Sequence, residues 1–137
     1  MKKYVHIAFI YAAAAMAGGV FFREFTKFSD YTGPTTLRCV HTHLFMLGMV
    51  MFLLTALFAR ACPLEQSKLF RAFLPVYNLG VVLSAVMLLV RGVLQVLDTP
   101  LSTGADAAVS GIAGIGHLLP GAGLVLWFLA LKEAAED

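Results

Sequence analysis

Four long runs of the sequence contain no charged residue, and they constrain the fold more than any other feature. The runs are 19 to 25 residues long, and a helix needs about 20 apolar residues to cross the hydrocarbon core of a bilayer. They cover residues 4–22, 39–59, 72–90 and 107–131. Because the runs occupy most of the 137 residues, they predict an all-α, four-helix bundle that forms a single transmembrane domain over residues 1–137.

The composition argues against several other classes of protein. Hydrophobic residues make up 60% of the chain and charged residues only 13%, which is about half the charged share of a soluble domain. The net charge of +2 is too small to attract a polyanion, so we expect no nucleic-acid partner. The sequence also offers no serine triad, phosphate loop or carboxylate dyad, so hydrolytic and nucleotide-driven chemistry have no support. Whether the protein is an enzyme is left open.

The basic residues at the ends of the runs predict the orientation in a membrane. Six of them lie on the side that holds both termini and four on the opposite side, so the positive-inside rule places both termini in the cytoplasm. We therefore expect a multi-pass protein in contact with membrane lipid. Two lysines precede the first run, as in a signal peptide, but its apolar stretch is longer than a normal signal core, and we expect it to be retained.

Histidines inside the uncharged runs are candidates for function, because polar groups are costly in a membrane interior. His41 and His43 lie two residues apart, about 200° around a helix, so their side chains leave from opposite faces and cannot chelate one metal ion. We interpret both as ligands of two different sites rather than as histidines bonded only to neighbouring helices. His6, at the edge of the first run, is interpreted as facing lipid head groups.

His117 lies in a glycine-rich part of the fourth run. Glycines there either allow close helix packing or leave room for a flat ligand, and both interpretations stay open. Counted along its own run, His117 lies ten residues deep and His43 four, so His117 is expected about 9 Å deeper in the membrane. A pair of His43 and His117 is therefore expected only if the fourth helix starts later than residue 107.

Other side chains near the histidines suit a haem or a copper ion. Arg23, Arg38 and Arg91 end helices on the predicted outer side, where they either reach back to the interface or bind carboxylates such as haem propionates. The chain has no Cys-x-x-Cys-His sequence, which excludes a covalently attached c-type haem and favours a b-type haem. Met46 and Met49 would suit Cu(I), but we interpret them as apolar filler.

The histidine segment resembles known haem proteins. An H-x-H on an apolar helix, followed by apolar and aromatic residues and Gly48, resembles the catalytic-subunit helix of haem-copper oxidases and nitric oxide reductases. This resemblance implies that His41 and His43 bind two different haems and that Gly48 borders a cofactor. The segment also resembles the histidine motif of NnrS-type membrane proteins. Together with residues 22–28, it resembles an uncharacterised bacterial family of small four-helix membrane proteins, which implies location in a bacterial inner membrane.

These observations predict a haem-binding membrane protein that transfers electrons or binds a diatomic gas, with His41, His43 and His117 as candidate iron ligands and with a redox partner. Two alternatives stay open: a copper-binding or copper-transport protein, and a cofactor-free structural subunit. We expect a homo-oligomer in which His41 of one chain faces His43 of the next. A trimer is the first choice, since three such chains would match the three four-helix arcs of the oxidase core subunit, and a dimer is the second.

Overall fold

Four long helices make up most of the chain, for which a computed structural model describes residues 1–136. The helices are α1 (Lys2–Phe28), α2 (Leu37–Ala61), α3 (Lys68–Val96) and α4 (Thr103–Glu136), with one turn of 3-10 helix at Leu64–Gln66. Each long helix is apolar enough to cross a membrane, so the predicted all-α, four-helix architecture is confirmed. The helices extend two to six residues beyond the uncharged runs, because charged side chains at a helix end can reach water while the backbone stays helical.

The start of α1 and the end of α4 lie at one end of the bundle, together with the loop between α2 and α3. Tyr4 of α1 donates a hydrogen bond to Glu65 in this loop (2.6 Å), and Lys3 lies 3.3 Å from the same carboxylate. These two contacts hold the pKa of Glu65 below its usual value. Ser67, which caps α3, donates to Glu133 of α4 (2.5 Å). Successive helices are therefore antiparallel; we name this end the terminal end and the opposite one the loop end.

The start of α2 is fixed to α3 by hydroxyl groups at the loop end. Thr35 donates to the carbonyl of Gly92 (3.1 Å), and Thr36 donates to the carbonyl of Leu88 (2.8 Å). A Cβ added at Gly92 would lie 2.5 Å from the backbone nitrogen of Leu37, so the two backbones touch. α2 therefore starts level with Gly92, four residues before α3 ends.

The middle of α2 departs from the α-helical form. α2 begins as an α-helix over Leu37–His43, continues as a π-helix over Leu44–Val50 and returns to an α-helix over Met51–Ala61. A π-helix has more residues per turn than an α-helix. The side chains in the second part of α2 therefore point in directions that differ from those of a continuous α-helix. The residue pattern alone did not predict this change, which begins directly after His43.

An aromatic core fills the half of the bundle near the terminal end. Six rings from α1, α2 and α3 follow one another with successive centroids 5.1 to 6.1 Å apart. The rings are Tyr4, Phe70, Phe73, Tyr77, Phe52 and Tyr11. Two of their hydroxyls find partners inside the bundle: Tyr11 donates to the side chain of Asn78 (2.8 Å), and Tyr77 donates to the carbonyl of Leu47 in the π-helix (2.9 Å).

α3 and α4 approach each other closely at Pro120. A Cβ added at Gly80 of α3 would lie 2.4 Å from Cδ of Pro120. Proline has no N–H, so the carbonyl of Gly116, one turn earlier in α4, loses its helical donor. The hydroxyl of Ser84 donates to this carbonyl. A side chain of α3 thus replaces the hydrogen bond that the proline removes from α4.

We expect Ser84→Ala to destabilise the bundle by about 1–3 kcal/mol, the cost of leaving a buried carbonyl without a donor. Ser84 is only 1% exposed, so water cannot take the place of the hydroxyl. Thermal unfolding in detergent, followed by circular dichroism, measures the loss. Ser29→Ala makes the same chemical change at an exposed position and is the control. Equal midpoints for the two variants would show that the Ser84 hydrogen bond does not stabilise the fold.

Candidate functional site

His43 of α2 and His117 of α4 are in contact. Their ring centroids lie 6.1 Å apart, and the ring planes meet at 82°. Two imidazoles on opposite sides of one metal ion, with metal–nitrogen bonds of about 2 Å, have centroids about 6 Å apart. The observed separation of the ring centroids is close to this value.

The same kind of hydrogen bond holds each of the two rings. Nδ1 of His43 donates to the carbonyl of Cys39 (2.9 Å), and Nδ1 of His117 donates to the carbonyl of Ala113 (2.8 Å). A carbonyl oxygen only accepts, so Nδ1 carries the proton in each ring. In the neutral ring, Nε2 then has a free lone pair, and the bond at Nδ1 orients the ring as it does in metal-binding histidines.

The pair consists of two imidazole side chains. Among residues 1–136, no group of three or more His, Cys, Asp or Glu side chains is placed to hold an ion. Protein sites for zinc use three or four side chains. Haem iron needs only its axial ligands from the protein, because the porphyrin supplies the others. The pair therefore has the ligand count of a bis-histidine haem.

The contact between His43 and His117 contradicts the depth predicted from the sequence. That prediction placed His117 about 9 Å deeper than His43. It also required α4 to start later than residue 107, whereas α4 starts earlier, at Thr103. Both expectations were wrong, because they assumed that every helix starts at the same level of the bundle.

Helices α2 and α4 start at different levels. Ser84 of α3 contacts Gly116 of α4. Because α3 and α4 are antiparallel, Gly92, which follows Ser84 by eight residues, lies level with Ala108, which precedes Gly116 by eight residues. α2 starts at that level, and α4 extends about five residues, or 7.5 Å, beyond it. His43, six residues into α2, is then only about three residues, or 4.5 Å, from the level of His117. The two side chains can span this offset.

The flank of α4 around His117 is flat. A Cβ added at Gly114 or Gly121 would meet nothing within 4 Å. These glycines lie three residues before and four residues after His117, one turn away on either side. Gly116, in contrast, packs against the backbone of α3. Close helix packing therefore applies to Gly116, and room for a flat ligand beside Gly114 and Gly121 stays a prediction.

The flank of α2 beside His43 is also open. An open cavity of about 280 Å³ adjoins the ring, and its other lining residues are Thr42, Met46 and Leu47. A flat group that reaches both histidines therefore finds space on each helix.

His41 lies on the other flank of α2, against α1. A Cβ added at Gly19 of α1 would lie 3.7 Å from Cβ and Cγ of His41. Nδ1 of His41 is buried and has no hydrogen-bond partner among the described residues. Since His43 faces α4, the prediction that the two histidines leave α2 on opposite faces is confirmed.

Gly48, interpreted from the sequence as a cofactor contact, lies elsewhere. A Cβ added there would lie 2.4 Å from Cγ of Tyr11. The absence of a side chain at Gly48 therefore lets α1 pack against the π-helix. This glycine faces α1 and not the pair of His43 and His117.

Arg91 lies on the flank of α4 that leads to His117. Its guanidinium group donates to Asp106 (2.5 Å) and to Ser110 (2.7 Å). Ser110 precedes His117 by seven residues, two turns or about 10.5 Å. Asp106 and Ser110 were not predicted from the sequence, although their helical spacing relative to His117 places them on the same flank of α4.

The remaining polar candidates lie away from the pair. Arg23 is 3.8 Å from Glu24 at the end of α1 and is largely exposed. Arg38 is exposed and precedes His43 by five residues, about 140° around α2, so it projects from a different flank. His6 is exposed near the terminal end, as expected for a residue at the membrane edge.

The fold and site together define an all-α protein of four helices, each able to cross a membrane, in which a histidine of α2 contacts a histidine of α4. The chain belongs to the family described as "Protein of unknown function (DUF2871)", which matches residues 1–134. This confirms the predicted membership of an uncharacterised family. No curated protein and no solved structure matches the chain. The resemblance to haem-copper oxidases, nitric oxide reductases and NnrS-type proteins stays a prediction from the histidine segment.

Proposed function

We propose that the protein binds one b-type haem between α2 and α4, with His43 and His117 as the axial ligands. The contact between the two rings, with centroids 6.1 Å apart, carries the proposal. The separation of the ring centroids is close to that of two imidazoles on one iron, and each ring is already oriented by a hydrogen bond at Nδ1. His41 is not part of this site, because it faces α1.

The surroundings of the pair support a flat, anionic ligand. Gly114 and Gly121 leave space beside His117. Of the three predicted arginines, Arg91 of α3 contacts the flank of α4 that carries this histidine. It would bind a propionate in place of part of its contact with Asp106. Arg23 and Arg38 are assigned no role in this proposal.

Bound haem would supply one-electron redox chemistry within the bilayer. Because two histidines would hold the haem, the proposed activity is electron transfer, and a redox partner is part of the proposal. Binding of O2 or NO would require one histidine to leave the iron. The protein's own contribution is to hold two imidazoles at a fixed separation on the outer face of the bundle, where His43 is half-buried and His117 is exposed.

We also propose a location in the bacterial inner membrane with both termini in the cytoplasm. The six basic residues at the terminal end, against four at the loop end, support this orientation. The histidine pair would then lie in the outer half of the membrane, since His43 is only six residues from the loop end of α2.

A homo-oligomer is a separate proposal, with a trimer first and a dimer second. In the interchain site expected from the sequence, His41 of one chain meets His43 of the next. That site competes with the proposed one, because Nε2 of His43 can bind only one iron. The number of chains needed to retain one haem therefore distinguishes the two arrangements.

Purification in mild detergent from cells supplied with a haem precursor tests the proposed function. We expect a Soret band, sharp bands after reduction, and one haem per chain that native mass spectrometry finds on the monomer. Ring planes at 82° also predict a strongly anisotropic low-spin ferric signal in electron paramagnetic resonance. The physical reason is that perpendicular imidazoles leave two iron d orbitals nearly equal in energy.

Each other outcome of this experiment contradicts the proposal in a distinct way. Bound copper without haem bands would favour the copper-binding alternative, and a colourless, metal-free protein would favour a structural subunit. Haem that is lost whenever the oligomer dissociates would place the iron between chains, at the site expected from His41 and His43.

A further inference from the structure

We infer that Tyr77 positions His43 against His117, by tying the π-helix of α2 to α4. Tyr77 is fully buried, and its hydroxyl donates to the carbonyl of Leu47 (2.9 Å), four residues after His43. On its other side, a Cβ added at Gly123 of α4 would lie 2.8 Å from Cβ of Tyr77. One residue of α3 therefore contacts both helices that carry the histidine pair, close to the pair on each of them.

The π-helix determines the angle around α2 between His43 and the residues of α2 that are buried in the core. The extra residue in a π-helix changes the rotation between the two parts of α2 by about one residue, or about 100°. Phe52 and Thr55, after the π-helix, are fully buried. If Leu44–Val50 were α-helical, His43 could keep its place only if these two side chains left the core. The π-helix thus allows a buried core face and a histidine directed at α4 in the same helix.

The Tyr77 hydrogen bond is well suited to hold this segment. The carbonyl of Leu47 lies at membrane depth, where water does not compete for it. A hydrogen bond from a donor of α3 is therefore not weakened by exchange with water. Tyr11 packs on the π-helix at Gly48, but its hydroxyl bonds to Asn78 of α3 and not to the backbone of α2. Only the Tyr77 hydroxyl joins the π-helix backbone to another helix among the hydrogen bonds of the described residues.

This inference concerns the relative placement of two side chains, so it holds whether or not haem is the ligand. It is tested without any ligand by replacing the pair with cysteines, His43→Cys and His117→Cys, in a chain that also carries Cys39→Ser and Cys62→Ser. A short bifunctional thiol reagent is added to membranes, and mass spectrometry measures the rate of intrachain cross-linking.

Tyr77→Phe and Tyr11→Phe are then compared in this background. Each removes one buried hydroxyl from the same aromatic core, but only Tyr77→Phe removes the bond to the π-helix. We expect Tyr77→Phe to lower the cross-linking rate about fivefold, as for the loss of a hydrogen bond worth about 1 kcal/mol. Tyr11→Phe should change it less than about twofold. Equal rates in the two variants would overturn the inference.

A deletion gives a second test that leaves all of α3 unchanged. Met46 is 62% exposed within the π-helix, and its deletion removes the extra residue. We expect the four helices to persist by circular dichroism and the cross-link between positions 43 and 117 to be lost. A cross-link that survives the deletion would show that the π-helix does not position His43, whatever the protein binds.

Discussion

His43→Ala and His117→Ala should each remove the bound haem, whereas His41→Ala should leave it in place. In the proposed site each of the first two residues supplies one of the two axial ligands, and His41 faces α1. Loss of a direct ligand is expected to weaken binding more than about 100-fold, beyond the effect of changing an outer-shell partner. The Soret absorbance per protein, measured for the three variants purified in parallel, is the readout.

His41→Ala is the matched control, because it removes the same side chain from the same helix two residues away. A further arm uses His117→Gly with added imidazole, which should restore the reduced bands if the histidine acts only as a ligand. If His41→Ala removed the haem while His117→Ala retained it, the interchain site between His41 and His43 would be favoured instead.

Gly80→Ala should destabilise the bundle by about 3 kcal/mol, at the upper end of the cost of overpacking. The new Cβ would lie 2.4 Å from Cδ and 2.7 Å from the backbone nitrogen of Pro120, and neither atom belongs to a flexible side chain. α3 and α4 would have to separate at the level just below the histidine pair. Unfolding by a denaturing detergent, followed by circular dichroism, measures the change.

Gly111→Ala is the control for this substitution. It adds the same methyl group to α4 where nothing lies within 4 Å, so alanine should preserve or slightly raise stability through its better helix propensity. If Gly80→Ala were as stable as Gly111→Ala, the close contact at Pro120 would not contribute to the fold.

The sequence predicted the features that depend on one helix at a time. Uncharged runs revealed the number of helices, because a helix must offer about 20 apolar residues to the bilayer. Helical rotation alone placed His41 and His43 on opposite faces. Both conclusions follow from residues that are neighbours along the chain, and the structure confirms them.

The features that the sequence did not predict depend on contacts between helices. The level at which α2 starts is set by Thr35 and Thr36 bonding to carbonyls of α3, so counting residues along separate runs misplaced His117 relative to His43. The π-helix, likewise, contacts side chains of α1 and α3, which no pattern within α2 reveals.

The arginines illustrate the same limit. Arg23, Arg38 and Arg91 are equivalent in the sequence, since each ends a helix on the same side. They differ in their hydrogen-bond and ion-pair partners. Arg91 binds Asp106 and Ser110 on the flank of His117, whereas Arg23 lies beside Glu24, the next residue in α1. Which arginine lies on the flank of His117 thus depends on the pairing of α3 with α4.

The hydrogen bond from Ser84 to Gly116 has a consequence for how the chain enters a membrane. An unpaired carbonyl in hydrocarbon costs several kcal/mol, so α4 is an incomplete membrane segment by itself, despite its hydropathy of 1.7. α3 carries the missing donor and is synthesised first, so Ser84 is available when the proline-containing turn of α4 leaves the aqueous phase. We therefore expect α3 and α4 to enter a membrane as a hairpin, with the hydroxyl of Ser84 in place before the carbonyl of Gly116 enters the hydrocarbon.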